Sequence, residues 1–257
     1  MITRSRYGNA RAISKGLRAP GSGSKTGSKS KSERDRPKRN SSKNLDRSSE
    51  RLAAAYGKRL FDIMFSLSVL VVFFPVYIVL TLLIYLNSPG PVLYVQRRIG
   101  LNGKPFGCIK FRTMVVDADQ ILMEMLDTCP DTRDEFENDF KLKDDPRITP
   151  IGKWLRMTSL DEFPQFWNVL VGDMSVVGPR PLVKDELPKY GDAIHQVLTI
   201  RPGITGLWQV SGRNDIPYDQ RVQIDLHYAQ AHNFWQDLSI VFRTIGVVIF
   251  PKGNGAY

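Results

Sequence analysis

Val69-Leu70-Val71-Val72-Phe73-Phe74-Pro75-Val76-Tyr77-Ile78-Val79-Leu80 is the centre of a run, residues 63–86, in which 24 consecutive positions carry no charge. As one straight helix the run would measure ~36 Å, enough to cross a hydrocarbon core of ~30 Å. Two features argue against a simple span. Pro75 lies near its middle, where it removes a backbone hydrogen bond and clashes with the preceding turn, so a break is expected there. Basic residues flank both ends: Lys58 and Arg59 before it, then Arg97, Arg98, Lys104, Lys110 and Arg112 after it. If positive flanks stay on the cytoplasmic side, both ends lie on that side. A helix that enters, bends at Pro75 and returns meets both conditions, since residues 63–74 alone reach ~18 Å. A kinked single span is the competing reading.

Upstream of the run, residues 1–50 hold 14 Lys and Arg against 4 Asp and Glu, and the remaining 207 residues hold 22 of each. The whole net charge of +10 therefore sits in a leader rich in Ser, Gly, Lys and Arg, such as residues 21–30. It has too few apolar residues to bury a core and is expected to be disordered over 1–52. Basic clusters ahead of a hydrophobic segment fit an anionic membrane surface, at about 1 kcal/mol per charge. Nucleic acid is a poorer partner, because no aromatic residues interleave with the charges. The leader is too long and polar for a secretory signal. Cys108 and Cys129 lack metal-ligand spacing and suit a reducing cytoplasm.

Beyond the run, Asn87-Ser88-Pro89-Gly90-Pro91 stops the helix; residues 92–96 and 106–114 read as strands around a Gly-containing turn at 100–103. Residues 117–145 are acidic and helical, with no fixed ligand spacing, so a solvated face explains them better than a metal site. Next comes Thr158-Ser159-Leu160-Asp161-Glu162-Phe163-Pro164-Gln165. Ser159 and Glu162 have the spacing of a capping box and Pro164 suits a first helical turn, so a helix is expected to start near Ser159. Asp161 would then lie among unpaired N–H groups at the positive end of the helix, ionised and beside a bound phosphate. An ionised Asp can act as a nucleophile. Taken alone, the same pattern is more often only a cap. Further on, Gly178-Pro179-Arg180-Pro181 fixes Arg180 between two prolines, which suits phosphate recognition. Helices are expected near 186–199, 219–231 and 234–250, the last apolar enough to rest on a membrane. The loop 201–214 holds Arg201, Trp208, Arg213 and three glycines; backbone N–H groups there could approach an anion, and Trp208 could stack on a base or line an apolar wall. Taken alone, a turn with a packed Trp explains that loop better. His195, His227 and His232 show no metal pairing.

Together, Lys58-Arg59 with Asp62, the Pro-broken apolar helix, Ser88-Pro89-Gly90-Pro91, Lys110-Phe111-Arg112-Thr113-Met114, Ser159-Leu160-Asp161-Glu162, Gly172-Asp173-Met174-Ser175, Gly178-Pro179-Arg180-Pro181, Arg201-Pro202-Gly203-Ile204-Thr205-Gly206 and Gly212-Arg213-Asn214 resemble the bacterial sugar transferases. These are monotopic phosphoglycosyl transferases that begin glycan assembly on a polyprenyl phosphate. The resemblance covers about residues 57–250, and the combination in this order is specific although each motif alone is weak. It implies an α+β architecture: the leader 1–52, a membrane-associated re-entrant helix over 53–88, and a mostly helical catalytic domain with a small sheet over 89–257. It implies transfer of a hexose 1-phosphate, with glucose and galactose foremost, from a UDP-sugar to undecaprenyl phosphate with release of UMP. It implies Mg²⁺ held with Asp161, Asp161 as nucleophile with Glu162 as its acid/base or electrostatic partner, and Lys110, Arg156 and Arg180 as phosphate ligands. Arg201, Trp208 and Arg213 are candidate nucleotide-sugar contacts. The expected place is the cytoplasmic face of the inner membrane, within reach of other polysaccharide assembly proteins. Where relatives commonly break the helix at Ser-Pro, this chain has Phe74-Pro75, and it looks like the small form of the family. A membrane-anchored scaffold without catalysis is the alternative from another class, disfavoured by the intact constellation around Asp161.

Overall fold

The computed structural model describes residues 38–139, 142, 145–212 and 216–249. Contacts divide the chain into Met1–Asp46 and Arg47–Tyr257, and the site lies wholly in the second unit. Residues 1–37 of the expected leader lie outside the described residues, and from Lys38 onward the backbone is helical.

The apolar run forms two helices. α1 (Lys38–Val72) and α2 (Phe74–Asn87) meet at Phe73 with a bend of 62° between residues 53–72 and α2. Pro75 falls in the first turn of α2, where its missing N–H costs no helical bond. Among the described residues no single helix is long and apolar enough to cross a membrane, whereas the bent pair meets that test together. Polar anchors at the base of the pair are satisfied by the rest of the fold. Lys58 pairs with Asp237 at 2.5 Å, Arg59 donates to the carbonyls of Val169 and Leu170, and buried Asp62 accepts from the Ser175 hydroxyl and the Val176 N–H. The Lys-Arg-Asp pattern is thus a clamp between α1 and the C-terminal half of the chain. Leu80 and Ile84 of α2 bury against Phe111 and Leu155.

Leu93–Ile99 (β1) and Pro105–Phe111 (β2) form an antiparallel hairpin, with Leu93 opposite Phe111 and Ile99 opposite Pro105. The helical reading of 117–145 resolves into α3 (Ala118–Thr128) and α4 (Pro130–Asp139). α5 (Pro150–Met157) begins at Thr149, whose hydroxyl accepts the Gly152 N–H at 3.0 Å. α6 (Gln165–Val171) leads into β3 (Ser175–Val177), which pairs in parallel with β4 (Gly203–Thr205). A Cβ on Gly203 would stand 2.1 Å from the Gly178 nitrogen. Gly203 and Gly178 therefore allow the close approach of two backbones.

The helix expected over 186–199 is instead a 3₁₀ stretch, Lys184–Ala193, ending in the short α7 (Ile194–Val197). Pro188 and the positive φ of Gly191 (50°) break the α-helical ladder. α8 (Tyr218–Ala231) and α9 (Phe234–Ile249) close the fold. The main core gathers Cys108, Val169, Met174, Val176, Val177, Tyr228, Ile240 and Val241 from β2, α6, β3, α8 and α9. The result is the expected mixture of helices with small sheets.

Candidate active site

The chain around the two carboxylates is not one helix. Ser159 takes a left-handed conformation (φ 57°, ψ 18°) and makes no side-chain cap; Leu160–Glu162 is a single 3₁₀ turn, and α6 starts only at Gln165. The capping-box reading of Ser159 and Glu162 therefore fails: left-handed Ser159 makes no cap bond, and the Glu162 carboxylate is taken by Lys110. Two contacts hold the turn. Asn168 of α6 accepts the Ile109 N–H and donates to the Gly107 carbonyl, which fixes α6 on β2. Tyr77 of α2 donates its hydroxyl to the Phe163 carbonyl at 2.7 Å, and the rings of Phe73 and Phe163 meet edge to face.

Glu162 receives Lys110 at 2.8 Å. Burial pushes the Glu162 carboxyl up, but Lys110, with Arg180 and Arg98, outweighs burial and holds it below the usual range. Asp161 is 9 % exposed. Burial first, and then the neighbouring Glu162 charge, raise its pKa to about 6 against the opposing pull of Lys110 and Arg156. A helix terminus would have lowered this pKa; burial and the Glu162 charge instead make Asp161 a more basic carboxylate. Arg156 feels the Asp161 charge and donates its Nε to the Thr113 hydroxyl at 3.0 Å.

On the Glu162 side a narrow cleft, open to solvent, is walled by Arg98, Lys110, Glu162, Gln165, Arg180 and Gln209, with Pro181 and Ile204. Of the expected phosphate ligands the structure thus brings Lys110 and Arg180 to one cleft with Glu162, while Arg156 serves the Asp161 side. The candidate nucleotide-sugar contacts fare differently. Trp208 is 3 % exposed and lies beneath the guanidinium groups of Arg180 and Arg221, 6.0 and 5.1 Å from the ring centre. It offers no free face to a base and instead supports Arg180. Arg201 donates Nε to the Gly172 carbonyl beyond the end of α6 and is not a wall of the cleft. Arg213 lies outside the described residues.

Arg98 was legible only as a basic flank. In β1 it occupies a buried position, donates to the Pro181 carbonyl and Gln96, and reaches the cleft. Gln165 and Gln209 gave no signal, since glutamine has no charge pattern to betray it. Among the described residues no three His, Cys, Asp or Glu side chains converge on a metal site. The donor set still suits Mg²⁺, which takes one or two carboxylates and completes its shell with substrate phosphates and water.

Residues 53–251 match the family model described as bacterial sugar transferase. The undecaprenyl-phosphate galactose phosphotransferase of Salmonella typhimurium is 49 % identical over 200 residues, covering 78 % of this chain and 41 % of that protein. The exopolysaccharide production protein ExoY of Sinorhizobium fredii is 45 % identical over 197 residues, covering 77 % of this chain and 87 % of its own. A UDP-glucose:undecaprenyl-phosphate glucose-1-phosphate transferase of Klebsiella pneumoniae is 38 % identical, covering 73 % and 39 %. The chain thus spans about two fifths of the Salmonella and Klebsiella relatives and most of the Sinorhizobium one.

Proposed function

The chain belongs to the bacterial sugar transferase family, and we propose that it transfers a sugar 1-phosphate from a UDP-sugar to undecaprenyl phosphate, releasing UMP, in the first membrane step of exopolysaccharide synthesis. The observation that carries this reading is a nearly buried carboxylate with its pKa raised to about 6, set beside a cleft lined by Lys110, Arg98 and Arg180. Two cation-rich walls suit a diphosphate, and the carboxylate suits attack on it.

In the first step an Asp161 carboxylate oxygen attacks the phosphorus that bears the sugar. The bond from that phosphorus to the bridging oxygen breaks, and UMP leaves with the electron pair. A mixed anhydride between Asp161 and the phosphosugar results. In the second step a phosphate oxygen of undecaprenyl phosphate attacks the same phosphorus and the Asp161 carboxylate departs, leaving a lipid diphosphate sugar. Glu162, kept anionic by Lys110, acts electrostatically: it raises the Asp161 pKa and fixes the Lys110 ammonium where phosphate charge gathers. Arg180, seated on Trp208, and Arg98, tied to Pro181, present guanidinium groups in set directions, so little reorganisation accompanies the charge transfer. Asp161 is the side chain that would hold Mg²⁺, which when bound offsets phosphate charge.

Membrane seating is supported by the bent helix pair and the apolar surface it exposes; the basic residues that flank both of its ends suit the cytoplasmic face. Val71, Val72, Phe74, Leu82 and Leu86 are exposed there, and Trp154 on α5 and Trp167 on α6, the helices on either side of the dyad turn, are exposed as well. Such seating would present the dyad to a lipid-borne phosphate.

The test is the nucleotide released when detergent-purified protein, Mg²⁺ and undecaprenyl phosphate meet a panel of UDP-sugars. UMP is expected, and the sugar that yields it identifies the donor. UDP would mean glycosyl transfer and would contradict the proposal, and no nucleotide from any donor would favour a scaffold.

A further inference from the structure

Asp225 stands where an apolar side chain would be expected. α8 turns Val222, Asp225 and Tyr228 into the fold, and Asp225 is 1 % exposed. Burial raises its pKa to about 7, against the opposing effects of a Tyr190 hydrogen bond, the Arg180 charge and the Trp208 N–H. Tyr190 donates its hydroxyl to Oδ2 at 2.9 Å. Oδ1 of Asp225 and Nε1 of Trp208 are both buried, and neither has a partner of ideal geometry. The indole N–H nevertheless acts on the carboxylate, so each of these two atoms is the one available to satisfy the other. A buried carboxylate is a costly way to satisfy a tyrosine hydroxyl alone, since a neutral acceptor would serve as well.

Through Trp208 the carboxylate reaches the wall of the cleft. The indole carries the guanidinium of Arg180 at 6.0 Å from its centre, and Arg180 walls the cleft with Lys110 and Glu162. Among the described residues Arg180 makes no hydrogen bond and no ion pair, so the indole is what seats its side chain. An arginine that receives phosphate cannot be held by a carboxylate in direct contact, because the carboxylate would take up the N–H groups that phosphate needs. Asp225 attracts Arg180 without bonding to it and leaves those groups free. We propose that Asp225 is a positioning residue for the transfer: it holds the Trp208 indole by its N–H, and the indole in turn seats the Arg180 guanidinium against the donor diphosphate. This rests on the sugar-phosphate transfer proposed for the site.

The experiment is calorimetric binding of a panel of UDP-sugars to this chain in detergent at pH 8, with thermal melts alongside. The variants are Asp225→Asn, Asp225→Leu, Arg180→Met, and each Asp225 variant combined with Arg180→Met. Asparagine keeps the shape and the Tyr190 contact without the charge; leucine removes the acceptor as well. Asp225→Leu is expected to bind the preferred UDP-sugar about three- to tenfold more weakly, and Asp225→Asn about two- to threefold. Asp225→Asn should do so without melting below the wild type, because burial disfavours the ionised carboxyl present at pH 8. With Arg180→Met already in place, neither Asp225 substitution should weaken binding further, since the group being positioned is gone. The same factor in both backgrounds would make Asp225 a core residue with no path through Arg180 and would overturn the proposal. Unchanged affinity in both Asp225 single variants, or in Arg180→Met, would overturn it too. If Asp225→Leu does not fold, Asp225→Asn carries the same cycle. These results leave the transferase reading standing; a wild type that binds no UDP-sugar of the panel would overturn that reading, and the proposal with it.

Discussion

Asp161 and Glu162 are adjacent in sequence and opposite in electrostatic character. Glu162 has Lys110 at 2.8 Å and stays anionic; Asp161, with less compensation for its burial, is pushed up to about 6. If the ionised Asp161 is the attacking group, turnover should rise with pH through about 6 and then level. Lys110→Met removes a charge that lowers both carboxyls, so its acid limb should shift to higher pH than that of the wild type, read from the pH profile of UMP release. The same shift predicts an effect on stability. A carboxyl whose folded-state pKa is raised above its unfolded value of 3.8 contributes stability when protonated, and that contribution is lost as pH rises through about 6. Asp161→Asn should therefore be more stable than the wild type at pH 7, by about 1–3 kcal/mol, and level with it near pH 3. Its activity should fall by roughly a thousandfold or more. A variant that gains melting temperature at pH 7 while losing turnover would separate function from folding.

At the scale of elements, the dyad turn is suspended between α2, β2 and α6. Tyr77→Phe removes the bond from α2 to the Phe163 carbonyl; a stability loss of about 1 kcal/mol is expected, with a fall in kcat larger than any change in KM. Close packing of β3 on β4 makes a sharper prediction. Gly203→Ala would drive a Cβ into the Gly178 backbone and should cost about 3 kcal/mol or more, whereas Gly57→Ala, with open space around it in α1, should be neutral or slightly stabilising. Thermal melts of the two variants decide this. Elements with long-range signals were legible in the sequence: the apolar run and its break, the hairpin around Gly103, and α8 and α9 with their apolar spacing. Those governed by tertiary contacts were not. Ser159 looks like a cap but is turned left-handed where the chain reverses between α5 and the dyad turn, and Pro188 with Gly191 converts an apparent helix into a 3₁₀ stretch. In the site, charged motifs pointed to Lys110 and Arg180, which the fold brings to one cleft, and to Arg156, which it sets on the Asp161 side. Trp208 was visible as a residue open to two readings, and the fold favours the packed one, with Arg180 and Arg221 over its ring. Gln165 and Gln209 were invisible, since a neutral amide carries no charge pattern.

For the whole molecule, the proposed re-entrant seating puts both ends of the bent helix pair on one side of a bilayer, with the dyad at its surface. Single reporter cysteines at residues 50 and 104, in a Cys129→Ser background, should be modified from the same side of oriented vesicles; modification from opposite sides would establish a span. The covalent step decides the mechanism. It can be caught by rapid quench of this chain with UDP-sugar and Mg²⁺ in the absence of lipid, followed by mass measurement of the peptide carrying Asp161. The predicted result is a phosphosugar adduct on Asp161, lost when undecaprenyl phosphate is added and absent from Asp161→Asn. Release of UMP that depends on lipid, with no adduct at any quench time, would contradict it and would make Asp161 a general base in a single displacement.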